Sequence, residues 1–187
     1  MNASVSNAAK WIIVALAAFT FLRLFLLSDL TGVEKKRIGV VAVLFVAAVT
    51  FFAGLELAGS SLILFAEQYT NRALGSYEMP ASWFQAINPL FVVLLGPVAA
   101  GVWVALSKRG RDLSLGMKFA VGLLLLGVGY IVIAVGAQRV VAGPVGPVWL
   151  WFMYLLHTMG ELWVSPVGLS SIAKLAPARI IGQVMGL

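Results

Sequence analysis

The sequence has no cysteine and only one histidine among its 187 residues. The missing thiols exclude a disulfide framework and thiol chemistry. With a single imidazole and no cluster of carboxylates, the chain offers neither a typical metal site nor a nucleophile paired with its base. We therefore expect no cofactor and no enzymatic activity.

Charged residues are also scarce. They make up 11% of the chain, against 61% hydrophobic residues, whereas a soluble protein carries about 25% charged residues. This composition is typical of a protein surrounded by lipid. The net charge of +6 raises the alternative of nucleic-acid binding, but the basic residues cluster in short breaks between apolar runs, as the positive-inside rule describes. The expected partner is therefore the lipid bilayer, and not nucleic acid.

Five apolar runs approach the length of about 20 residues that a helix needs to cross a bilayer. They are residues 11–27, 38–66, 88–106, 119–137 and 148–173. A single strand cannot satisfy its backbone groups in lipid, so each run is predicted to be helical. The predicted fold class is all-α, a polytopic transmembrane helix bundle. Residues 178–187 look like the beginning of a further helix, which favours a longer reading frame.

The breaks between these runs alternate in charge. The first, third and fifth breaks are basic, and the second and fourth are nearly neutral; the basic residues are Lys35, Lys36, Arg37, Lys108, Arg109, Arg111, Lys118, Lys174 and Arg179. Cytoplasmic loops carry the excess of lysine and arginine. The pattern predicts five alternating crossings, with Met1 outside the cell.

Two glutamates interrupt the apolar runs, Glu56 in the second and Glu161 in the fifth. A charge near the bilayer centre costs at least about 2.5–3.5 kcal/mol, so such residues usually bind a cation or carry a proton. Thr158 and His157 precede Glu161 by three and four residues, and Ser165 follows it by four. This spacing predicts a polar stripe on one helix face, directed into a bundle or a cavity.

Structural explanations for the same residues remain open. Glu161 could form only a hydrogen bond to a neighbouring helix, and Glu56 a static interhelical pair. The cationic partner of Glu56 would be Arg23, the one basic residue inside a run, or a residue elsewhere in the protein. Asn88 is expected to face a cavity or to cap its helix, and His157 to be a hydrogen-bonded core residue.

Four segments carry a family resemblance. They are LELAGSSLILFAEQYTNR (55–72), MPASWFQAINPLFVVLLGPVAAGVW (79–103), KFAVGLLLLGVGY (118–130) and WFMYLLHTMGELWVSPVGLSSIAKLAPARIIGQVMG (151–186). In this order and spacing they resemble the proton-dependent oligopeptide transporters of the major facilitator superfamily. That family is built from two six-helix bundles. The resemblance implies a linker transmembrane helix and cytoplasmic turn at residues 1–33. It implies a partial C-terminal bundle at residues 34–187, with four complete spanning helices and the start of a fifth.

The resemblance also assigns roles to single residues. Glu161 matches a glutamate that binds the amino terminus of the peptide and takes part in gating, and Asn88 matches the asparagine beside it. Glu56 matches a glutamate linked to proton coupling and to closure of the outer gate. Phe52 stands where many members have a pocket tryptophan, and Ser165 completes the expected substrate-binding set.

The function implied is that of a fragment of a proton-coupled symporter for di- and tripeptides, with protons as the coupling ion. Its partner would be the missing N-terminal six-helix bundle, and its location a bacterial inner (plasma) membrane. Two alternatives stay open: a non-transporting membrane remnant or accessory subunit, and a major facilitator transporter for another small solute.

Overall fold

The computed structural model describes residues 3–27, 31–111, 113–175 and 182, and these are predominantly helical. The helices are α1 (Ala3–Leu27), α2 (Gly32–Glu56), α3 (Ser61–Tyr69), α4 (Ile87–Lys108), α5 (Leu115–Gln138) and α6 (Val148–Leu175). Short 3-10 helices span Leu57–Gly59, Ala81–Ala86 and Arg139–Ala142. The only sheet in the described residues pairs strands β1 (Ala73–Leu74) and β2 (Tyr77–Glu78). Apart from residue 182, the helix predicted to begin at 178–187 lies outside the described residues.

The prediction of a transmembrane helix bundle is confirmed. Three helical stretches of the described residues are long and apolar enough to cross a membrane, namely Gly32–Tyr69, Ala81–Lys108 and Leu115–Ala142. A shorter apolar helical stretch, Val14–Arg23, lies within α1. A helix needs about 20 apolar residues to cross the hydrocarbon core of a bilayer.

The chain forms two compact units. The first unit comprises Met1–Phe45 and Leu169–Leu187, and the second comprises Val46–Gly168. In the first unit, the rings of Phe21 on α1 and Phe45 on α2 lie 5.6 Å apart between centroids. Ring pairs at such distances contribute favourably beyond the area they bury.

The second unit is built around one hydrophobic core. α3 contributes Leu62 and Ala66, four residues apart, so that one face of this short helix is buried. Phe84 comes from the 3-10 helix before α4 and is 1% exposed. The rest of this core comes from α5 and α6, with Ile133, Leu150, Met153 and Tyr154. This core therefore packs α3 against the first half of α6.

A row of glycines brings α5 and α6 close together. Gly122, Gly129 and Gly136 recur every seven residues on α5 and are all buried. A Cβ atom on Gly129 would lie 2.5 Å from Cδ2 of His157, and one on Gly136 would lie 2.9 Å from Cγ of Trp149. Membrane helices associate through such close packing, because lipid is as apolar as the side chains themselves.

The single helix predicted for residues 38–66 is divided in the structure. α2 ends at Glu56, a 3-10 turn covers Leu57–Gly59, and α3 begins at Ser61. Ser60 between them has φ −129° and ψ −84°, outside the helical region. The carbonyl of Gly54, in the last turn of α2, accepts a hydrogen bond from the Tyr130 hydroxyl on α5. The last carbonyls of a helix lack partners within it, and Tyr130 supplies one.

The loops after α3 and before α6 are joined by hydrogen bonds. The amide of Asn71 donates to the carbonyl of Val145, whose own amide donates to the carbonyl of Tyr69, both at 2.8 Å. The hairpin of β1 and β2 follows and is fixed by an ion pair of 2.6 Å between Arg72 and Glu78. The sequence did not predict this hairpin. The contact puts the two nearly neutral breaks at the same end of the bundle.

Candidate functional site

A cavity of about 300 Å³ lies within the second unit. Its walls come from the end of α2 and the following turn, from the first turn of α4, and from the middle of α6. The lining residues are Phe52, Leu55, Glu56, Ala58, Gly59, Asn88, Tyr154 and Glu161. Four residues predicted from the sequence, Phe52, Glu56, Asn88 and Glu161, are therefore brought together.

A hydrogen bond between α4 and α6 orients the side chain of Glu161. The side-chain amide of Asn88 donates from Nδ2 to Oε2 of Glu161 at 3.2 Å. The hydroxyl of Thr158, one turn before Glu161, donates to Oδ1 of the same amide. Glu161 is half-buried and Thr158 is 0% exposed. Asn88 therefore faces the cavity and links α4 to α6, rather than capping its own helix.

Glu56 has different surroundings. It is the last residue of α2 and is exposed. Among the described residues of Val46–Gly168, its carboxylate has no hydrogen bond and no ion pair. The C-terminal end of a helix carries a partial negative charge, so this position favours a positively charged ligand beside the carboxylate. The pairing with Arg23 stays a prediction, since Arg23 belongs to the first unit.

Phe52 lines the cavity, whereas Ser165 does not. The ring of Phe52 is 45% exposed and meets the buried Phe51 edge-on, with centroids 5.6 Å apart. Phe51 thus supports the ring that forms the aromatic wall. Ser165 lies one helical turn beyond Glu161 and is half-buried. It is not one of the residues that line this cavity.

The polar stripe predicted on α6 divides between two neighbours. Thr158 and Glu161 meet Asn88 of α4, whereas the ring of His157 meets α5. Nε2 of His157 lies 3.2 Å from the carbonyl oxygen of Leu126. His157 and Thr158 are consecutive residues and point about 100° apart, one on each side of Glu161, so they meet different neighbouring helices. The prediction of His157 as a buried core residue is confirmed, although Nδ1 has no partner among the described residues.

Tyr154 is a lining residue that the sequence analysis missed. Its side chain is 2% exposed, and its hydroxyl has no hydrogen-bond partner in the described part of the chain. A buried polar group without a partner costs about 1–3 kcal/mol. Tyr154 precedes Thr158 by four residues and Glu161 by seven, which places all three on one helix face. That spacing was the available signal.

The polar groups of the cavity wall suit a small cation. They are two carboxyl groups and one amide, with the rings of Phe52 and Tyr154 beside them. No group of three histidine, cysteine or acidic residues that could hold a metal ion occurs in the described residues. A ligand with an ammonium group and a transferable proton would balance the two negative charges.

Comparisons with known proteins agree on one family. A model described as the POT family matches residues 8–187. The peptide transporter YePEPT of Yersinia enterocolitica is 38% identical over 186 residues, 98% of this chain and 36% of that protein. Dipeptide and tripeptide permease B of Shigella dysenteriae is 29% identical over 188 residues, 100% of this chain and 38% of the permease.

A solved structure has the same fold. A crystal structure of peptide transporter POT in complex with sulfate superposes with a TM-score of 0.91 at 34% identity, over 100% of this chain and 38% of that one. The chain thus spans little more than a third of the length of these proteins. The family match covers nearly all of it and agrees with its apolar helices. The chain belongs to the POT family.

Proposed function

We propose that this chain forms the C-terminal part of a proton-coupled symporter for di- and tripeptides. The observation that supports this function is the cavity in which Glu56, Asn88 and Glu161 meet beside the ring of Phe52. Two relatives that align with nearly all of this chain are named peptide transporter and dipeptide and tripeptide permease. A short peptide carries an ammonium group at one end, which suits a carboxylate-lined cavity.

Glu161 is the group that binds this ammonium. Asn88 holds Oε2 of the carboxylate, while Oε1 has no hydrogen bond within the described residues. An ionised carboxylate and an ammonium group form hydrogen bonds about twice as strong as neutral ones. Oε1 is therefore the oxygen offered to the peptide, and Asn88 keeps the carboxylate in a fixed orientation while it binds.

Glu56 is the group that couples transport to the proton. Two ionised carboxylates in one cavity repel each other. An ammonium group at Glu161 and a proton on Glu56 neutralise both carboxylates of this cavity, and the peptide's own carboxylate needs a cation from the N-terminal bundle. In the closed states of the transport cycle the cavity is shut off from water. Closing it costs less free energy when its carboxylates are neutralised than when they bury a charge. The gradient that supplies the proton then drives uptake of the peptide.

The whole transporter needs a second bundle. Alternating access moves one bundle against the other around a site at the bilayer midplane, so the proposed partner is an N-terminal six-helix bundle. Protons serve as the only coupling ion, and the protein uses no cofactor, binds no nucleic acid and is not an enzyme. The chain is an integral membrane protein. Its proposed location is a bacterial plasma membrane with Met1 outside, supported by bacterial relatives and by the alternating charge of the breaks.

The test uses the protein expressed from its complete reading frame and reconstituted in liposomes. Uptake of labelled dialanine should be saturable and should rise when an inward proton gradient is imposed. Glu161→Gln removes the charge that binds the ammonium group, so KM should rise at least about tenfold. Glu67→Gln is the matched control, since Glu67 is an exposed glutamate of α3 outside the cavity.

Two results would contradict the proposal. If the reconstituted protein takes up no di- or tripeptide under any gradient, the assigned substrate class is wrong. If uptake occurs and Glu161→Gln leaves KM unchanged relative to Glu67→Gln, the peptide amino terminus binds elsewhere.

A further inference from the structure

Thr158 makes a contact that the other helical threonines do not make within the described residues. Thr20 and Thr50 donate to the carbonyls of Leu16 and Val46, four residues earlier in their own helices, at 2.8 and 2.9 Å. This is the ordinary behaviour of a threonine inside a helix. The hydroxyl of Thr158 has a second acceptor within reach: the carbonyl of Tyr154 lies 2.8 Å away, and Oδ1 of Asn88 on α4 is also at hydrogen-bond distance.

The contact with Asn88 decides how its amide is oriented. An amide side chain has an acceptor oxygen at one end and a donor nitrogen at the other. The Thr158 hydroxyl has one proton and two acceptors within reach, the carbonyl of Tyr154 and Oδ1 of Asn88. Donated to Oδ1, that proton leaves Nδ2 directed to the carboxylate of Glu161. The reversed amide would set its oxygen against the carboxylate, two acceptors facing each other. Thr158 therefore favours the one orientation in which Asn88 donates to Glu161.

Burial strengthens this selection. Thr158 is 0% exposed, so water does not compete for its hydroxyl. Hydrogen bonds in a medium of low dielectric constant are stronger, and those in a chain reinforce one another. The chain from Thr158 through Asn88 to Glu161 ends at the half-buried carboxylate in the cavity wall.

We infer that Thr158 is a positioning residue of the ligand site: its hydroxyl sets the orientation of the Asn88 amide and, through it, that of the Glu161 carboxylate that receives a ligand's ammonium group. The part of this inference that concerns the ligand rests on the proposed function. The orientation of Asn88 does not, and each part has its own measurement.

Three variants separate this role from simple packing. Thr158→Val keeps the shape of the side chain and removes only the hydroxyl. Thr158→Ser keeps the hydroxyl and removes a methyl group. Thr50→Val is the matched control, because in the described part of the chain Thr50 bonds only to Val46 of its own helix. All are made in the complete protein and accepted only if they remain folded in the membrane.

The first measurement needs no ligand. Solid-state NMR of the protein labelled with ¹⁵N in asparagine side chains reports the Asn88 amide, assigned by its loss in Asn88→Ala. Thr158→Val should shift this resonance, and Thr158→Ser and Thr50→Val should leave it near the wild-type position. An Asn88 resonance unchanged by Thr158→Val would overturn the inference, whatever the protein transports.

The second measurement is the affinity for dialanine in direct binding. Thr158→Val should weaken binding about tenfold, and Thr158→Ser should restore it to near the wild-type value. In an Asn88→Ala background Thr158→Val should cause no further loss, since no amide is left to orient. Equal losses in both backgrounds would overturn the positioning role. Absence of dialanine binding in the wild type would instead reject the proposed function, with the NMR result still deciding the role of Thr158.

Discussion

Glu56 and Glu161 face one cavity with different neighbours. Glu161 accepts a hydrogen bond from Asn88 and is half-buried, whereas Glu56 is exposed at the negative end of a helix and has no partner among the described residues of the second unit. The amide of Asn88 fixes the orientation of the Glu161 carboxylate, which suits the binding of a ligand in a defined position. The different surroundings of the two residues support the proposal that Glu161 binds the peptide and Glu56 couples transport to the proton.

This division predicts the behaviour of Glu56→Gln, which mimics a permanently protonated carboxyl. In liposomes, exchange of labelled for unlabelled dialanine should continue at a rate similar to that of the wild type. Uphill accumulation driven by a proton gradient should be lost. Both rates are measured on the same reconstituted protein, with Glu67→Gln as the control that keeps both.

The alternative outcomes for Glu56 are distinct. Continued uphill accumulation in Glu56→Gln would remove this residue from proton coupling. Loss of exchange as well, in a folded protein, would mean that the carboxylate binds the peptide rather than the proton.

The sequence could predict Glu56 and Glu161 because a charge inside an apolar run is visible without a structure. It could not predict the bond from Thr158 to Asn88, since these residues are 70 positions apart and only packing brings them together. The unpartnered hydroxyl of Tyr154 was hidden for the same reason. The spacing of Tyr154 places it on the helix face of Thr158 and Glu161, but aromatic residues are common in apolar runs, so the spacing alone does not single it out.

Among the elements, the division between α2 and α3 departs most from the sequence prediction. Residues 38–66 are almost uniformly apolar, and such a run does not reveal where a helix ends. Gly59 and Ser60 have low helix propensity, but membrane helices often contain such residues without interruption. The end of α2 has a partner on another helix, the hydroxyl of Tyr130. Broken helices in transporters commonly line the substrate pathway, and this break adjoins Glu56.

The glycine row of α5 gives a prediction about stability. A Cβ atom on Gly129 would lie 2.5 Å from His157, whereas one on Gly127 would meet nothing within 4 Å. Gly129→Ala should therefore force α5 and α6 apart and destabilise the protein by about 1–3 kcal/mol. Gly127→Ala, on the same helix, should leave stability unchanged or raise it by up to about 1 kcal/mol through helix propensity. Thermal unfolding in detergent measures both.

The comparison of the two alanines separates packing from helix propensity. Both substitutions add the same methyl group to the same helix, so any effect of propensity is shared. Equal unfolding temperatures for the two variants would show that the close approach at Gly129 does not stabilise the bundle.

For the whole molecule, the charge of the breaks between apolar runs is the sequence feature that predicts the topology. Basic and nearly neutral breaks alternate, and the structure joins the two nearly neutral ones through Asn71 and Val145. Charge alternation predicts which loops share a side of the membrane, because the rule depends on loop composition alone. It does not predict that these loops bond to each other. That pairing and the hairpin depend on backbone groups, which composition does not describe.

The same alternation predicts the orientation of the chain in the membrane. The chain has no cysteine, so one introduced thiol is its only labelling site. Ser76 lies in the turn of the hairpin, Ser107 near the end of α4, and both are exposed. With any cysteine elsewhere in the reading frame replaced, a membrane-impermeant maleimide should label Ser76→Cys in intact cells. It should label Ser107→Cys only after permeabilisation. The reverse pattern would place Met1 in the cytoplasm, and labelling of both in intact cells would contradict the alternating crossings.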